Sequence, residues 1–130
     1  MKKRAFVCLV TLLFITMSTL AQEVPAGAIV AFKKGSSQEL SRYMSDDIDL
    51  VILGKQTNAN KNTALTLIAD FFSTNKVSGF TVNHQGKRNE SGYLIGTIST
   101  SNGDFRVNCF FKRIQNSYLI HQIRIEKTNE

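Results

Sequence analysis

The sequence predicts an α+β fold in which helices cover one face of an antiparallel sheet. Three observations carry this reading. Apolar and polar residues alternate through Phe105-Arg106-Val107-Asn108-Cys109, and less strictly through Phe80-Thr81-Val82-Asn83-His84 and Tyr93-Leu94-Ile95-Gly96-Thr97-Ile98. A two-residue period puts one face of a strand in the core and the other in water. The last third of the chain, Val77 to Lys127, reads as four consecutive strands of this kind. Ahead of them, Lys61 to Thr74 reads as a helix with Thr63, Thr66, Asp70 and Ser73 as its wet stripe. Ala64, Leu65, Leu67, Ile68, Phe71 and Phe72 fill the rest of that helix, so most of its surface must be buried. A sheet with one bare apolar face requires such a cover.

The register of the two middle strands follows from their turn. Ser101-Asn102-Gly103-Asp104 contains Asn-Gly, the pair that most readily takes the positive φ angles of a type I′ hairpin. With Asn102 and Gly103 as loop residues, Ser101 meets Asp104 and Thr100 meets Phe105. Ile98 then meets Val107, Gly96 meets Cys109, and Leu94 meets Phe111 on the inner face. Ser99–Arg106, Thr97–Asn108, Ile95–Phe110 and Tyr93–Lys112 pair on the outer face. A slip of one residue would invert both sets.

The chain opens Met1-Lys2-Lys3-Arg4 and runs into the apolar stretch Ala5 to Ile15, followed by Thr19-Leu20-Ala21. A basic start, a short apolar run and small residues before a cut form a secretory signal peptide, so residues 1–21 are expected to be removed after Ala21. The run is short for a bilayer span. Cys8 lies inside it, not just after the cut where a lipid-modified protein needs its cysteine. The expectation is therefore a secreted or periplasmic single domain over 22–130 with no membrane anchor. Without Lys2, Lys3 and Arg4 the 16 basic residues become 13 against 10 acidic ones, a net charge of +3. That small charge, with no basic run, gives no support to a nucleic-acid partner. Cys109 is then the one remaining cysteine, expected to be a buried and inert thiol.

From Gln22 the chain begins with helices. Pro25 suits a first turn, Ala26, Ile29, Val30 and Phe32 form an apolar stripe, and Lys33-Lys34-Gly35 ends it. Ser36-Ser37-Gln38-Glu39 offers a capping box for a second short helix presenting Leu40, Tyr43 and Met44. Asp46-Asp47 breaks that helix, Ile48 to Leu53 reads as a strand stopped by Gly54, and Lys55 to Asn60 reads as a polar loop. In the last strand, Ile120 and Ile123 are three apart while Ile123 and Ile125 are two apart. A bulge at His121-Gln122 would keep all three inside.

This order of elements, with Asp49 to Gly54, the Ala64 to Phe72 helix, His84-Gln85-Gly86, Tyr93-Leu94-Ile95-Gly96 and the Ile120 to Glu126 ending, resembles the nuclear-transport-factor-2-like (cystatin-like) superfamily. The closer likeness is to small secreted bacterial proteins of unknown function with that fold. The resemblance implies a cone, its N-terminal helices packed on a curved antiparallel sheet in the order α-α-β-α-β-β-β-β. It also implies a pocket at the wide end and homodimers through the outer sheet face. It implies no activity, since such folds host enzymes and non-enzymes alike.

The inner face read from the register holds His84 but no carboxylate. The plainer reading of His84 is a rim histidine near the turn at Gly86; the sharper one makes it the catalytic group of a small isomerase or hydrolase. One histidine without a partner acid makes a poor site, and His84 with His121 lacks a third metal ligand. No cofactor motif is present. The expected function is a non-catalytic domain binding a small apolar ligand or a protein partner, with His84 and Tyr43 at the rim of a shallow pocket. Tyr93, Ile95 and Phe110 form an apolar cluster on the outer face, the candidate homodimer interface. Gly96 leaves a dip in the inner face, which Phe71 or Phe72 of the long helix is expected to fill.

Overall fold

A computed structural model describes residues 24–128. The segment read as a signal peptide, with its cut after Ala21, lies outside the described residues. Helix α1 (Ala26–Lys34) starts behind Pro25 and ends at Gly35, whose φ of 67° is left-handed. Gly35 N–H donates to the Phe32 carbonyl and Ser36 N–H to that of Ala31, closing the helix end. Ala28, Ala31 and Phe32 are buried, whereas Ala26 and Val30 face solvent and Ile29 is half-buried. Of the expected stripe, Phe32 is buried and Ile29 packs against the core, while Ala26 and Val30 face away and Ala28 and Ala31 take their place. Helix α2 (Ser37–Ser41) is capped by Ser36 Oγ, which accepts from Glu39 N–H. The other half of the capping box is not made: Glu39 Oε2 pairs with Lys34 Nζ at 3.1 Å.

Strand β1 (Met44–Ile52) begins four residues earlier than its apolar pattern suggested, with Asp46 and Asp47 exposed within it. Lys55 to Asn60, expected as a loop, is strand β2 (Lys55–Asn60), which pairs antiparallel with β1. The order is therefore α-α-β-β-α-β-β-β-β. Helix α3 (Lys61–Thr74) follows, its N-terminus capped by Asn60 Oδ1 accepting from Thr63 N–H at 2.8 Å. Strands β3 (Val77–Arg88), β4 (Ser91–Thr100), β5 (Gly103–Ile114) and β6 (Ser117–Lys127) complete one six-stranded sheet in the order β2-β1-β6-β5-β4-β3. The sheet is mixed and not wholly antiparallel, since β1 runs parallel to β6.

The β4–β5 register differs from expectation by two residues. Thr100 pairs with Gly103, Ile98 with Phe105, Gly96 with Val107, Leu94 with Cys109 and Gly92 with Phe111. Because the shift is even, every inner residue stays inner. The loop residues are Ser101 and Asn102. Only Gly103 has positive φ, because Asn102 is occupied elsewhere: its Nδ2 donates to the Thr74 carbonyl (2.9 Å) and to Asn75 Oδ1 (2.8 Å) at the end of α3.

Two of the sheet's register shifts decide which way the nearby side chains face. In β6, Phe110 pairs with Gln122 and Phe111 with Ile120, so His121 is the extra residue and Ile120, Ile123 and Ile125 are all buried as expected. In β3, Val82 pairs with Gly96 but His84 with Ile95, leaving Asn83 unpaired, its Oδ1 accepting from the Thr97 hydroxyl. The core lies between the helices and the inner face, around Phe32, Leu40, Ile68, Phe71, Leu94, Ile98, Phe111 and Ile123. The dip at Gly96 is filled from within the sheet. Phe80 of β3 lies over it, stacked on Phe32 with ring centroids 5.0 Å apart. The atoms nearest to a Cβ at Gly96 belong to Phe80 and Thr81, so neither Phe71 nor Phe72 fills the dip, and Phe71 packs edge-on to Phe105 at 5.1 Å instead. Cys109 is buried and free, and burial pushes its thiol well above the ordinary range, so it is not nucleophilic at neutral pH.

Candidate binding groove

The unexpected strand creates the site. Leu53 and Gly54 form the β1–β2 tip, both with positive φ (50° and 86°), which folds β2 back beside β1 and stands the hairpin next to α3. Ile52 pairs with Lys55 and Leu50 with Thr57, so these four side chains share the inner face. Between them and α3 lies a groove of about 520 Å³. Leu50, Ile52, Leu67 and Phe71 supply its apolar surface, and Leu53 stands at its lip. Lys55, Thr57, Thr63, Asp70, Thr74 and Asn75 form a polar rim. Among the described residues, neither Lys55 nor Asp70 takes part in an ion pair. The volume suits a small ligand, and the mixture of apolar body and few polar groups is the usual one.

The expected rim residues do not meet there. The β3 bulge reverses the phase of the strand, so His84 is exposed and shares the outer face with Ile95. Tyr43 is half-buried and packs across Gly27 of α1, its hydroxyl lying where a Cβ would stand. Asp70, read as simply wet, is the carboxylate of the groove, and Lys55, Leu53 and Thr57 were missed. The signal for them was the Ile52-Leu53-Gly54-Lys55 tip followed by the alternation of Thr57 and Ala59 with Gln56 and Asn58.

The outer-face cluster is present with altered partners. Tyr93 now pairs directly with Phe110 and Ile95 with Asn108. Tyr93 is 39% exposed, its ring lying across Gly86, while Ile95 and Phe110 are half-covered. His121 sits near this face. Burial and the Lys112 ammonium hold its pKa below the ordinary histidine value, with Asp49 opposing them. Its folded form thus binds a proton less readily than the unfolded chain does. Stability should be fully present above pH ~6.5 and fall as pH drops through the depressed folded pKa. Urea unfolding of wild type and His121→Gln between neutral and mildly acidic pH checks this: the variant should show the shallower decline.

The sequence profile of a domain of unknown function, DUF4783, matches residues 26–126. The chain belongs to the DUF4783 family. It is similar to a solved DUF4783 family protein from Bacteroides ovatus, with 63% identity, a TM-score of 0.82, and coverage of 85% of this chain and all of that one. A DUF4783 family protein from Bacteroides uniformis is 60% identical over 82% of this chain and 99% of that one, with a TM-score of 0.80. A domain of unknown function with a cystatin-like fold from Nostoc punctiforme, 13% identical, aligns over 81% of this chain and 73% of that one at a TM-score of 0.64. A comparison with the curated proteins finds no match. This DUF4783 domain therefore has the nuclear-transport-factor-2-like, cystatin-like fold expected from its element order.

Proposed function

We propose that the domain is an exported, non-catalytic binding module whose groove between α3 and the β1–β2 hairpin takes a small amphiphile. The observation that carries this reading is the groove itself: about 520 Å³ of space with an apolar floor and two charged groups at its rim. The ligand's apolar body would lie on Ile52, Leu67 and Phe71, and its head would meet Lys55 or Asp70. Export rests on the basic start and apolar run before Ala21. An enzyme built on His84 is not favoured, since that side chain is exposed on the opposite face of the sheet from the groove. Titration calorimetry with dodecanoate and dodecylammonium below their micelle limits tests the reading and tells the two heads apart. Thr63→Phe, on the exposed side of α3, should fill the groove and abolish binding with the fold intact. Wild type that binds neither probe, or binding indifferent to Thr63→Phe, ends it.

The outer face is proposed to meet a second copy of the chain. Its apolar centre of Tyr93, Ile95 and Phe110 lies between the acidic Asp47 and Asp49 of β1 on one side and the basic Arg88 of the edge strand β3 on the other. A two-fold axis along β5 would set each β1 against the other copy's β3, placing acid opposite base around an apolar middle. Sedimentation should show a weak dimer that dissociates in high salt and is lost in Phe110→Asp. A wild type that stays monomeric at millimolar concentration excludes it.

A further inference from the structure

We infer that Leu53 is the specificity-determining residue of the groove, an apolar lip held over the ligand by a strained turn; the inference rests on the binding reading above. Leu53 has a φ of 50° and Gly54 one of 86°. Two positive φ angles at a two-residue hairpin tip favour asparagine, aspartate or glycine at the first place, and a bulky residue there is an outlier. The other tips of this sheet with positive φ at non-glycine residues are polar: Asn89, which follows the preference, joins β3 to β4, and Gln115-Asn116, with a long polar residue at the first place, joins β5 to β6. Only the tip bordering the groove carries a large apolar side chain among the described residues.

Core packing does not account for it, since Leu53 is 52% exposed. Its position is nevertheless held: Leu53 N–H donates to the Ile125 carbonyl at 2.9 Å, tying the tip to the end of β6. Strain without burial at a fixed position beside a cavity is the pattern expected of a residue kept for what it touches when the cavity is filled. Leu53 lines the same groove as Ile52 and Phe71, so its isobutyl group adds to their apolar surface. A ligand whose apolar body reaches the tip gains that contact, and a shorter one does not. Leu53 thus selects for chain length.

The experiment compares wild type, Leu53→Asn and Leu53→Met against twelve-carbon and six-carbon members of whichever probe series binds, carboxylate or ammonium, with melting followed in parallel. Leu53→Asn should melt at the same temperature as wild type or higher, because asparagine accepts this backbone. It should nonetheless bind the twelve-carbon probe roughly tenfold more weakly, the scale of one lost leucine contact. Its preference over the six-carbon probe should shrink by the same factor, and Leu53→Met should keep both. Leu53→Asn that binds as wild type does, or that loses affinity only by melting lower, overturns the inference while leaving the groove reading standing. Wild type that binds neither length overturns both.

Discussion

Gly96→Val is expected to destabilise the domain by about 3 kcal/mol, at the upper end of what overpacking a core costs. A Cβ at this position would lie 2.5 Å from Phe80 Cζ and 2.6 Å from the Thr81 carbonyl oxygen. The second contact is with backbone of the neighbouring strand, which cannot turn aside as a side chain can. Either the β3–β4 ladder spreads or Phe80 leaves its place against Phe32. For a domain of this size the melting temperature should drop by on the order of 10 °C. Phe80→Leu in the same chain should recover part of the loss, because it removes one of the two clashes and the two sites are in contact. A melting temperature unchanged by Gly96→Val would mean that the space over Gly96 is empty.

The second large effect is expected at Asn102, whose amide holds the β4–β5 tip to the end of α3. Asn102→Ala should cost about 2 kcal/mol, since it removes two hydrogen bonds and strips Asn75 Oδ1 of its donor. Asn75 is itself buried, with its Nδ2 already committed to the Phe71 carbonyl. Urea unfolding measures the change, and Asn102→Asp, which keeps the shape but loses the donors, should cost as much or more. A variant as stable as wild type would show that the tip is held by Ser101, whose N–H donates to the Lys76 carbonyl and whose hydroxyl accepts from Lys76 N–H.

The same residue explains where sequence reasoning stopped. Asn-Gly at 102–103 is a strong local signal for a type I′ turn, and a tertiary contact from Asn102 to Thr74 overrides it. The inner face was legible all the same, because alternation depends on parity and the register moved by two. The β6 bulge was legible because three isoleucines at unequal spacing admit few other solutions. The β3 bulge is not: no apolar residue follows Asn83 in the strand whose phase could betray the extra residue, so simple alternation puts His84 on the wrong face. Strand β2 was illegible for a related reason. It is an edge strand whose sequence, Lys55-Gln56-Thr57-Asn58-Ala59-Asn60, carries one apolar side chain, and what makes it a strand is β1 beside it. The groove depends on that strand, so the sequence pattern points to His84 and Tyr43 instead.

The parallel pairing of β1 with β6 has a consequence for how the molecule comes into being. Among the described residues β1 pairs with β2 and β6 alone, and β6 (Ser117–Lys127) is synthesised after every other described strand. A two-stranded hairpin alone is marginal in water. The segment from Met44 to Thr74 thus has no durable sheet to join while synthesis proceeds, and the long β1–β6 separation makes closure slow. Strands β3, β4 and β5 can pair as they emerge, whereas β1 and β2 must wait for β6, so the first strands made are the last to be built into the sheet.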